Sequence, residues 1–103
     1  MKMLVDYAGR QVRLTDERLR HILEHPEMAD LGSQLEETVL RPESVLQSSS
    51  DETALLFYRH YTATRVGAKW LCVVVKYQED DAFVLTAYLT DKPKKGLLQW
   101  PNT

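Results

Sequence analysis

The sequence contains three consecutive runs that carry cations and hydroxyls on an apolar frame: ALLFYRHY at 54–61, KWLCVVVKY at 69–77 and AFVLTAYL at 82–89. Runs of this length, rich in Val, Tyr, Phe and Thr, are typical of β-strands. The connections at 62–68 and 78–81 are short and contain the Gly, Thr and Asp residues common in turns. The sequence therefore predicts three successive antiparallel strands joined by hairpins.

Alternation along a strand sends successive side chains to opposite faces of a sheet. By this rule Lys76 shares a face with Trp70, while Thr86 and Tyr88 lie together on the face opposite to Phe83. One face is apolar enough to be a core, and the other ends in Lys, Thr and Tyr. We expect this second face to remain open for a ligand.

The segment before the strands begins with a helix signal. Thr15 is a favourable N-cap, and Asp16 and Glu17 place carboxylates in the first turn, where the helix dipole favours them. We expect a helix from about Asp16 towards His25, and Pro26 should end or bend it.

A second helix is predicted from Pro26 up to Arg41 and Pro42. Its apolar stripe consists of Met28, Leu31, Leu35, Thr38 and Val39. Short strands or extended segments are predicted at 3–7, 11–14 and 43–47.

Helices first and consecutive strands later indicate an α+β fold. We expect two N-terminal helices packed on one face of an antiparallel β-meander of about four strands. A length of 103 residues allows one core, so the chain is read as a single domain spanning 1–103.

The composition, 44% hydrophobic and 27% charged, is ordinary for a soluble globular protein. Cys72 is the single cysteine, so an internal disulfide is impossible, and an isolated cysteine within a strand is typical of a reducing compartment. The sequence contains no apolar run long enough to cross a bilayer. These features predict a cytoplasmic protein without a membrane segment.

The net charge of −2 argues against nucleic-acid binding through bulk positive charge. The charges are unevenly distributed, however. Residues 1–53 hold six Lys and Arg against eleven Asp and Glu, whereas residues 54–103 hold seven against four. The cations therefore concentrate on the strand-forming half, although acidic helices that only solvate their outer surface would give the same asymmetry.

Residues suited to phosphate recognition occur on the predicted strands. Arg59 offers a bidentate guanidinium, Lys76 offers a point charge, and the hydroxyls of Thr86 and Tyr88 offer directional hydrogen bonds. On the first helix, His21 lies near the polar side and is a candidate for proton transfer, because an unperturbed imidazole titrates near neutral pH. We take these five residues as candidate catalytic groups.

A second group of residues is suited to contacts with a phosphodiester backbone. It consists of His25, His60, Lys92, Lys94 and Lys95. Aromatic residues offer stacking surfaces for single-stranded bases, although half-buried positions in a sheet are the more common use of such residues. The candidates are Tyr58, Tyr61, Trp70 and Trp100.

His21, Glu24 and His25 also fit a short zinc-hydrolase pattern, H-x-x-E-H, in which two histidines bind the metal. Pro26 directly follows the second histidine, and no third ligand stands out. Zinc hydrolysis is therefore the weakest alternative, and we expect neither a metal nor another cofactor.

Taken in order, several motifs resemble the phage-associated branch of the barnase/EndoU/colicin/RelE-like (BECR-fold) nucleases. The resemblance spans about residues 15–100. Its motifs are RHILEHPE at 20–27, PESV at 42–45, FYRHY at 57–61, LCVVVK at 71–76, FVLTAY at 83–88 and KKG at 94–96.

This resemblance implies a metal-independent endoribonuclease that acts through attack of the RNA 2'-hydroxyl and leaves a 2',3'-cyclic phosphate. It places His21, Arg59, Lys76, Thr86 and Tyr88 in the active site. It also implies a toxin of a toxin-antitoxin or phage-related system, with tRNA or ribosome-bound mRNA as substrate and an antitoxin or immunity protein as partner. The alternative from another class is a non-catalytic binding or antitoxin-like module of the same fold.

Overall fold

The three predicted central strands form the middle of the structure, which is a computed structural model and describes residues 1–101. Each strand is longer than its sequence run: they span Ala54–Thr64, Gly67–Gln78 and Asp81–Thr90. Their pairing is antiparallel, as predicted.

Four shorter strands and two helices complete the fold within the described residues. In chain order the elements are β1 (Lys2–Val5), β2 (Gln11–Leu14), α1 (Asp16–Leu23), α2 (Gly32–Leu40), β3 (Ser44–Gln47), β4 (Ala54–Thr64), β5 (Gly67–Gln78), β6 (Asp81–Thr90) and β7 (Leu97–Trp100). A 3-10 turn over Pro26–Met28 lies between the helices.

The α+β class is confirmed, but the predicted meander of about four strands is wrong. All seven strands join one mixed sheet in the order β1-β2-β6-β5-β4-β3-β7. The N-terminal hairpin enters this sheet through a parallel contact of β2 with β6 at Arg13 and Phe83. At the far edge, β7 pairs antiparallel with β3. Both additions join residues distant in sequence, so local patterns did not reveal them.

The first helix begins as predicted and ends early. The Thr15 hydroxyl accepts a hydrogen bond from the Arg18 backbone N–H at 3.1 Å, which caps α1. The helix ends at Leu23, and His25 is extended because the ring of Pro26 disfavours helical backbone at the preceding residue.

The predicted second helix is divided into the 3-10 turn and α2, with its apolar stripe preserved. All five stripe residues are buried: Met28, Leu31, Leu35, Thr38 and Val39. They pack with both helices against one face of the sheet, where Phe57, Val73 and Val75 are fully buried. We call this the helix-covered face.

The predicted alternation of faces along β6 is wrong, because the strand contains a β-bulge. Val75 pairs with Val84 but Val74 pairs with Thr86, so Leu85 is an additional residue on β6. Val84 is consequently buried on the helix-covered face rather than sharing a face with Thr86. After the bulge, Thr86 and Tyr88 lie on the same face as Phe83, contrary to the simple alternation.

The opposite face is partly covered by residues 91–96, which we call the crossing segment. Its Lys94 backbone N–H donates to the Tyr58 hydroxyl oxygen at 3.2 Å. At its end Gly96 lies against β3, where an added Cβ would approach the Gln47 carbonyl oxygen to 3.0 Å. Beneath it is a small second core of Leu46, Leu56, Tyr58 and Cys72.

Within residues 1–101, neither helix has the length and apolar character needed to cross a membrane.

Candidate functional site

A cleft of about 260 Å³ opens on the face with the crossing segment. We call it the lysine cleft. It is lined by Ser48, Ser49, Ser50, Leu56, Val74, Thr86, Tyr88, Lys94 and Lys95.

The lysine cleft combines an apolar floor with cationic and hydroxyl walls. Leu56 and Val74 lie on adjacent strands and pair directly, which forms the floor. Lys94 and Lys95 are exposed, and neither forms an ion pair with a carboxylate in the part of the chain that the structure describes. Such a cleft is chemically suited to an anion that also carries an apolar or aromatic portion.

Tyr88 lies below Lys94, whose ammonium is 5.9 Å from the centre of the phenol ring. Burial is the main cause that raises the pKa of Tyr88 above the ordinary phenol value, and the neighbouring Cys72 thiol adds to it. Burial likewise raises the pKa of Tyr58 to about 12. Both phenols therefore stay protonated near neutral pH and act as hydrogen-bond partners rather than as bases.

A second opening of about 270 Å³ lies between α1 and the outer edge of β6. We call it the histidine groove. It is lined by Glu17, Arg18, His21, Ile22, Glu24, His25 and Thr86. It exists because β2 pairs with β6 only at Phe83, which leaves the remaining edge of β6 beside α1.

Thr86 is exposed and lines both openings. The bulge at Leu85 produces this position, because it turns Thr86 away from the buried face. The two openings therefore share one residue, with lysines on one side of it and histidines on the other.

The histidine groove also contains carboxylates. The His21 Nε2 lies 3.8 Å from a Glu17 carboxylate oxygen one helical turn earlier, whereas Glu24 pairs with Arg20 at 3.2 Å. His21 is half exposed, so its imidazole is accessible to a substrate.

The zinc pattern is not arranged as in a metal-binding helix. His21 lies within α1, but His25 follows the end of the helix in an extended conformation. Among residues 1–101, no group of three or more His, Cys, Asp or Glu side chains is positioned to hold a metal ion. The geometry thus gives no support to the zinc alternative.

Lys76 lies on the same face as the lysine cleft but does not line it. It pairs directly with Phe83, and its ammonium binds the Asp51 carboxylate. The hydrogen bonds from Lys76 and Thr53 lower the pKa of Asp51 to about 2. Lys76 is thus engaged by a neighbouring carboxylate at the border of the cleft.

Arg59 lies on the helix-covered side, away from the other candidates. Its guanidinium donates to the Arg41 carbonyl oxygen at 2.7 Å, and its Nε lies 3.4 Å from a Glu37 carboxylate oxygen. The first contact satisfies the carbonyl oxygen of the residue that caps the C-terminus of α2. The structure therefore does not bring Arg59 to either opening.

His60 and Lys92 lie outside both openings. The His60 ring shares the face of the lysine cleft, but it contacts Trp70 at the opposite end of the strands, with ring centres 5.2 Å apart. Lys92 is an exposed residue of the crossing segment. Of the ten candidate residues, six line the two openings: His21, His25, Thr86, Tyr88, Lys94 and Lys95.

The serines at 48–50 were not anticipated as site residues. The sequence marks them only as a loop, and the Ser48 and Ser50 hydroxyls lie 3.2 Å apart within it. Their place opposite Lys94 and Lys95 depends on pairing of β3 with β7, which no local signal reveals.

Comparisons with models of protein families, with curated proteins and with solved structures give no match for this chain.

Proposed function

We propose that the protein is a metal-independent endoribonuclease whose scissile phosphate binds at Thr86, between the lysine cleft and the histidine groove. The observation that carries this proposal is that the two openings share one exposed residue, Thr86. One opening offers cations and hydroxyls, and the other offers imidazoles. RNA carries its own 2'-hydroxyl nucleophile, so these groups are sufficient for transesterification in principle.

Electrostatic stabilisation is assigned to Lys94 and Lys95. As the 2'-oxygen bonds to phosphorus, negative charge increases on the non-bridging oxygens, and nearby ammonium groups stabilise it. Thr86 and Tyr88 add hydrogen bonds that fix the orientation of the phosphate. Because the pKa of Tyr88 is raised, its phenol remains a donor throughout.

Proton transfer is assigned to His21. A neutral imidazole accepts the 2'-hydroxyl proton while the 2'-oxygen bonds to phosphorus. The bond from phosphorus to the 5'-oxygen then breaks, and a protonated group or water returns a proton to that oxygen. The products are a 2',3'-cyclic phosphate and a free 5'-hydroxyl.

The cellular role in this proposal is that of a toxin in a toxin-antitoxin or phage-related system, acting on tRNA or ribosome-bound mRNA in the cytoplasm and restrained by a protein partner. The uneven charge supports this arrangement. Residues 1–53 carry an excess of carboxylates, which suits a basic partner, and Lys94 and Lys95 of the other half line the lysine cleft.

A non-catalytic binding module of the same fold is the second candidate. The engagement of Lys76 with Asp51 and of Arg59 with Glu37 favours it, because two cations suited to transition-state stabilisation are occupied elsewhere. The lysine cleft would then bind a phosphate without cleaving it.

The deciding experiment is end-mapping of RNA incubated with purified protein in EDTA. Wild type should leave 2',3'-cyclic phosphates, and joint Lys94→Ala and Lys95→Ala substitution should slow cleavage about a hundredfold or more, as for loss of preorganised charge stabilisation elsewhere. Lys2→Ala is the control, because Lys2 is an exposed lysine that lines neither opening.

Cleavage abolished by EDTA, or products without cyclic ends, would refute the mechanism. Retained RNA binding without cleavage would favour the binding module. Growth arrest on expression of wild type, relieved in the double variant, would support the toxin role.

A further inference from the structure

The structure separates the four aromatic residues that the sequence offered for stacking on bases. Tyr58 is fully buried beneath the crossing segment. Tyr61 donates its hydroxyl to Glu37 at 2.6 Å on the side of α2. Trp100 lies on edge strand β7 against Tyr7, with ring centres 6.0 Å apart. Of these four residues, Trp70 alone both shares the face of the lysine cleft and keeps accessible surface.

Trp70 forms an aromatic pair with His60 at the end of this face. The two residues are directly paired on β5 and β4, and their rings meet edge to face at 68°. Both side chains are half buried, so each retains accessible surface. A fixed indole with one imidazole at its side is a rigid apolar surface of the kind on which bases stack.

The position of Trp70 relative to the lysine cleft is set by strand register. Thr86 pairs with Val74, and Thr90 pairs with Trp70, so the two positions are four residues apart. At the usual rise of a strand this is about 13 Å. Along one nucleic-acid strand, stacked nucleotides are about 3.4 Å apart. The two positions are therefore several stacked nucleotides apart, or fewer where the nucleic acid is extended.

The charges around Trp70 are compatible with a phosphodiester backbone. Lys92 is exposed and forms no ion pair with a carboxylate among the described residues. The two nearby carboxylates are already engaged: Asp91 binds the Lys69 ammonium, and Glu43 accepts the His60 backbone N–H at 2.6 Å.

We propose that Trp70, with His60 beside it, is a base-stacking subsite for an unpaired nucleotide located beyond the nucleotides that flank the scissile phosphate. The subsite rests on the proposed function, since it takes the lysine cleft as the position of that phosphate. It makes single-stranded RNA longer than a dinucleotide the preferred substrate class. Stacking is tolerant of base identity, so the subsite selects for strand length and unpaired structure rather than for sequence.

The two tryptophans allow a direct test by fluorescence. Trp100→Phe leaves Trp70 as the single tryptophan, and Trp70→Phe leaves Trp100. The probe is a single-stranded DNA hexanucleotide, which has no 2'-hydroxyl and cannot be cleaved by the proposed mechanism. We expect the hexanucleotide to quench Trp70 but not Trp100, and the corresponding dinucleotide to leave Trp70 nearly unchanged.

Anisotropy of a labelled hexanucleotide gives the affinity independently. Trp70→Leu keeps an apolar side chain but removes the stacking surface, and should weaken binding roughly tenfold or more, whereas Trp100→Leu should not. Trp70 unquenched at a saturating hexanucleotide concentration, no binding at low salt, or equal quenching of both tryptophans would overturn the subsite.

These outcomes are separate from the outcome for cleavage. Quenching of Trp70 without RNA cleavage in EDTA would retain the subsite and reject the nuclease. Cleavage with equal kcat/KM for dinucleotide and hexanucleotide RNA would retain the nuclease and reject the subsite.

Discussion

The two faces of the central sheet are built from the same strands but are closed in different ways. The helix-covered face is sealed by α1, α2 and the 3-10 turn, and its central side chains, Phe57, Val73 and Val75, are fully buried. The opposite face has only the crossing segment over a small second core. One face therefore supplies most of the stability, and the other has room to bind.

The difference teaches which substitutions should affect folding and which should affect binding. Neighbouring residues of one strand belong to different faces, so the chain provides its own matched pairs. Such pairs, and residues close to them, provide the controls for variants of either face.

The largest expected effect is on stability. Phe57→Ala should lower the free energy of unfolding by about 3–5 kcal/mol, because it leaves a cavity in the sealed core. Leu56→Ala, one residue away, should cost less, since Leu56 is slightly exposed at 8% and lines the lysine cleft. Urea unfolding of both variants measures the difference, and equal costs would contradict the division between faces.

The second effect concerns cleavage alone. Thr86→Val replaces an exposed hydroxyl with a methyl group of similar size, so stability should change by less than about 0.5 kcal/mol. The rate of RNA cleavage should fall between about tenfold and a hundredfold, because a hydrogen bond to the phosphate is lost. Thr90→Val is the control on the same strand and face. Equal rates for the two variants would remove Thr86 from the site.

The third effect concerns attachment of the crossing segment. Tyr58→Phe removes the acceptor of the Lys94 backbone N–H and should cost about 1 kcal/mol. Hydrogen exchange at the Lys94 amide should accelerate, whereas amides of the helix-covered face should exchange as before. Uniform acceleration across the protein would show instead that the two faces unfold together.

The smallest effect is a dependence on pH. The folded-state pKa of Asp51 is about 2, below the ordinary value of 3.8. Its ion pair with Lys76 therefore stabilises the fold fully at pH values above 3.8. This stabilisation should be lost as the pH falls towards the lower value. In Asp51→Asn the urea midpoint should decrease less between neutral pH and acid than in wild type. Glu52→Gln, at an exposed neighbouring position, should behave as wild type does.

Features with strong local signals were predictable from the sequence. The three central runs, the Thr15 cap and the buried stripe that includes Leu35 and Val39 all appear in the structure. Each rests on periodicity or on a capping residue within a few positions, which one sequence is enough to show.

Features that depend on distant pairing were not predictable. β2 meets β6 through one parallel pair, and β7 is a four-residue strand beside β3. The neutralisation of Lys76 by Asp51 likewise depends on how a loop returns to the sheet. Propensity alone does not specify such contacts.

The candidate site was predictable in residue type more than in arrangement. Lysines, hydroxyls and histidines were identified, but no local pattern separates Lys94 from Lys76 or places His60 at the far end of the face. The serines at 48–50 line the cleft next to a pairing of β3 with β7, so their position could not be predicted without the complete sheet.

The bulge in β6 makes the cleft sensitive to strand register as well as to residue identity. If Leu85 paired with Val74 instead of bulging, Thr86 and Tyr88 would turn towards the helices and Ala87 would turn to the cleft, so the lysines would face a methyl group although no side chain had been replaced. Deleting Leu85 would remove the bulge and still leave Thr86 opposite Val74, on the face of the cleft. In a lineage of such sequences, loss of this one codon would therefore keep the cleft, whereas loss of Ala87 would turn Tyr88 towards the helices.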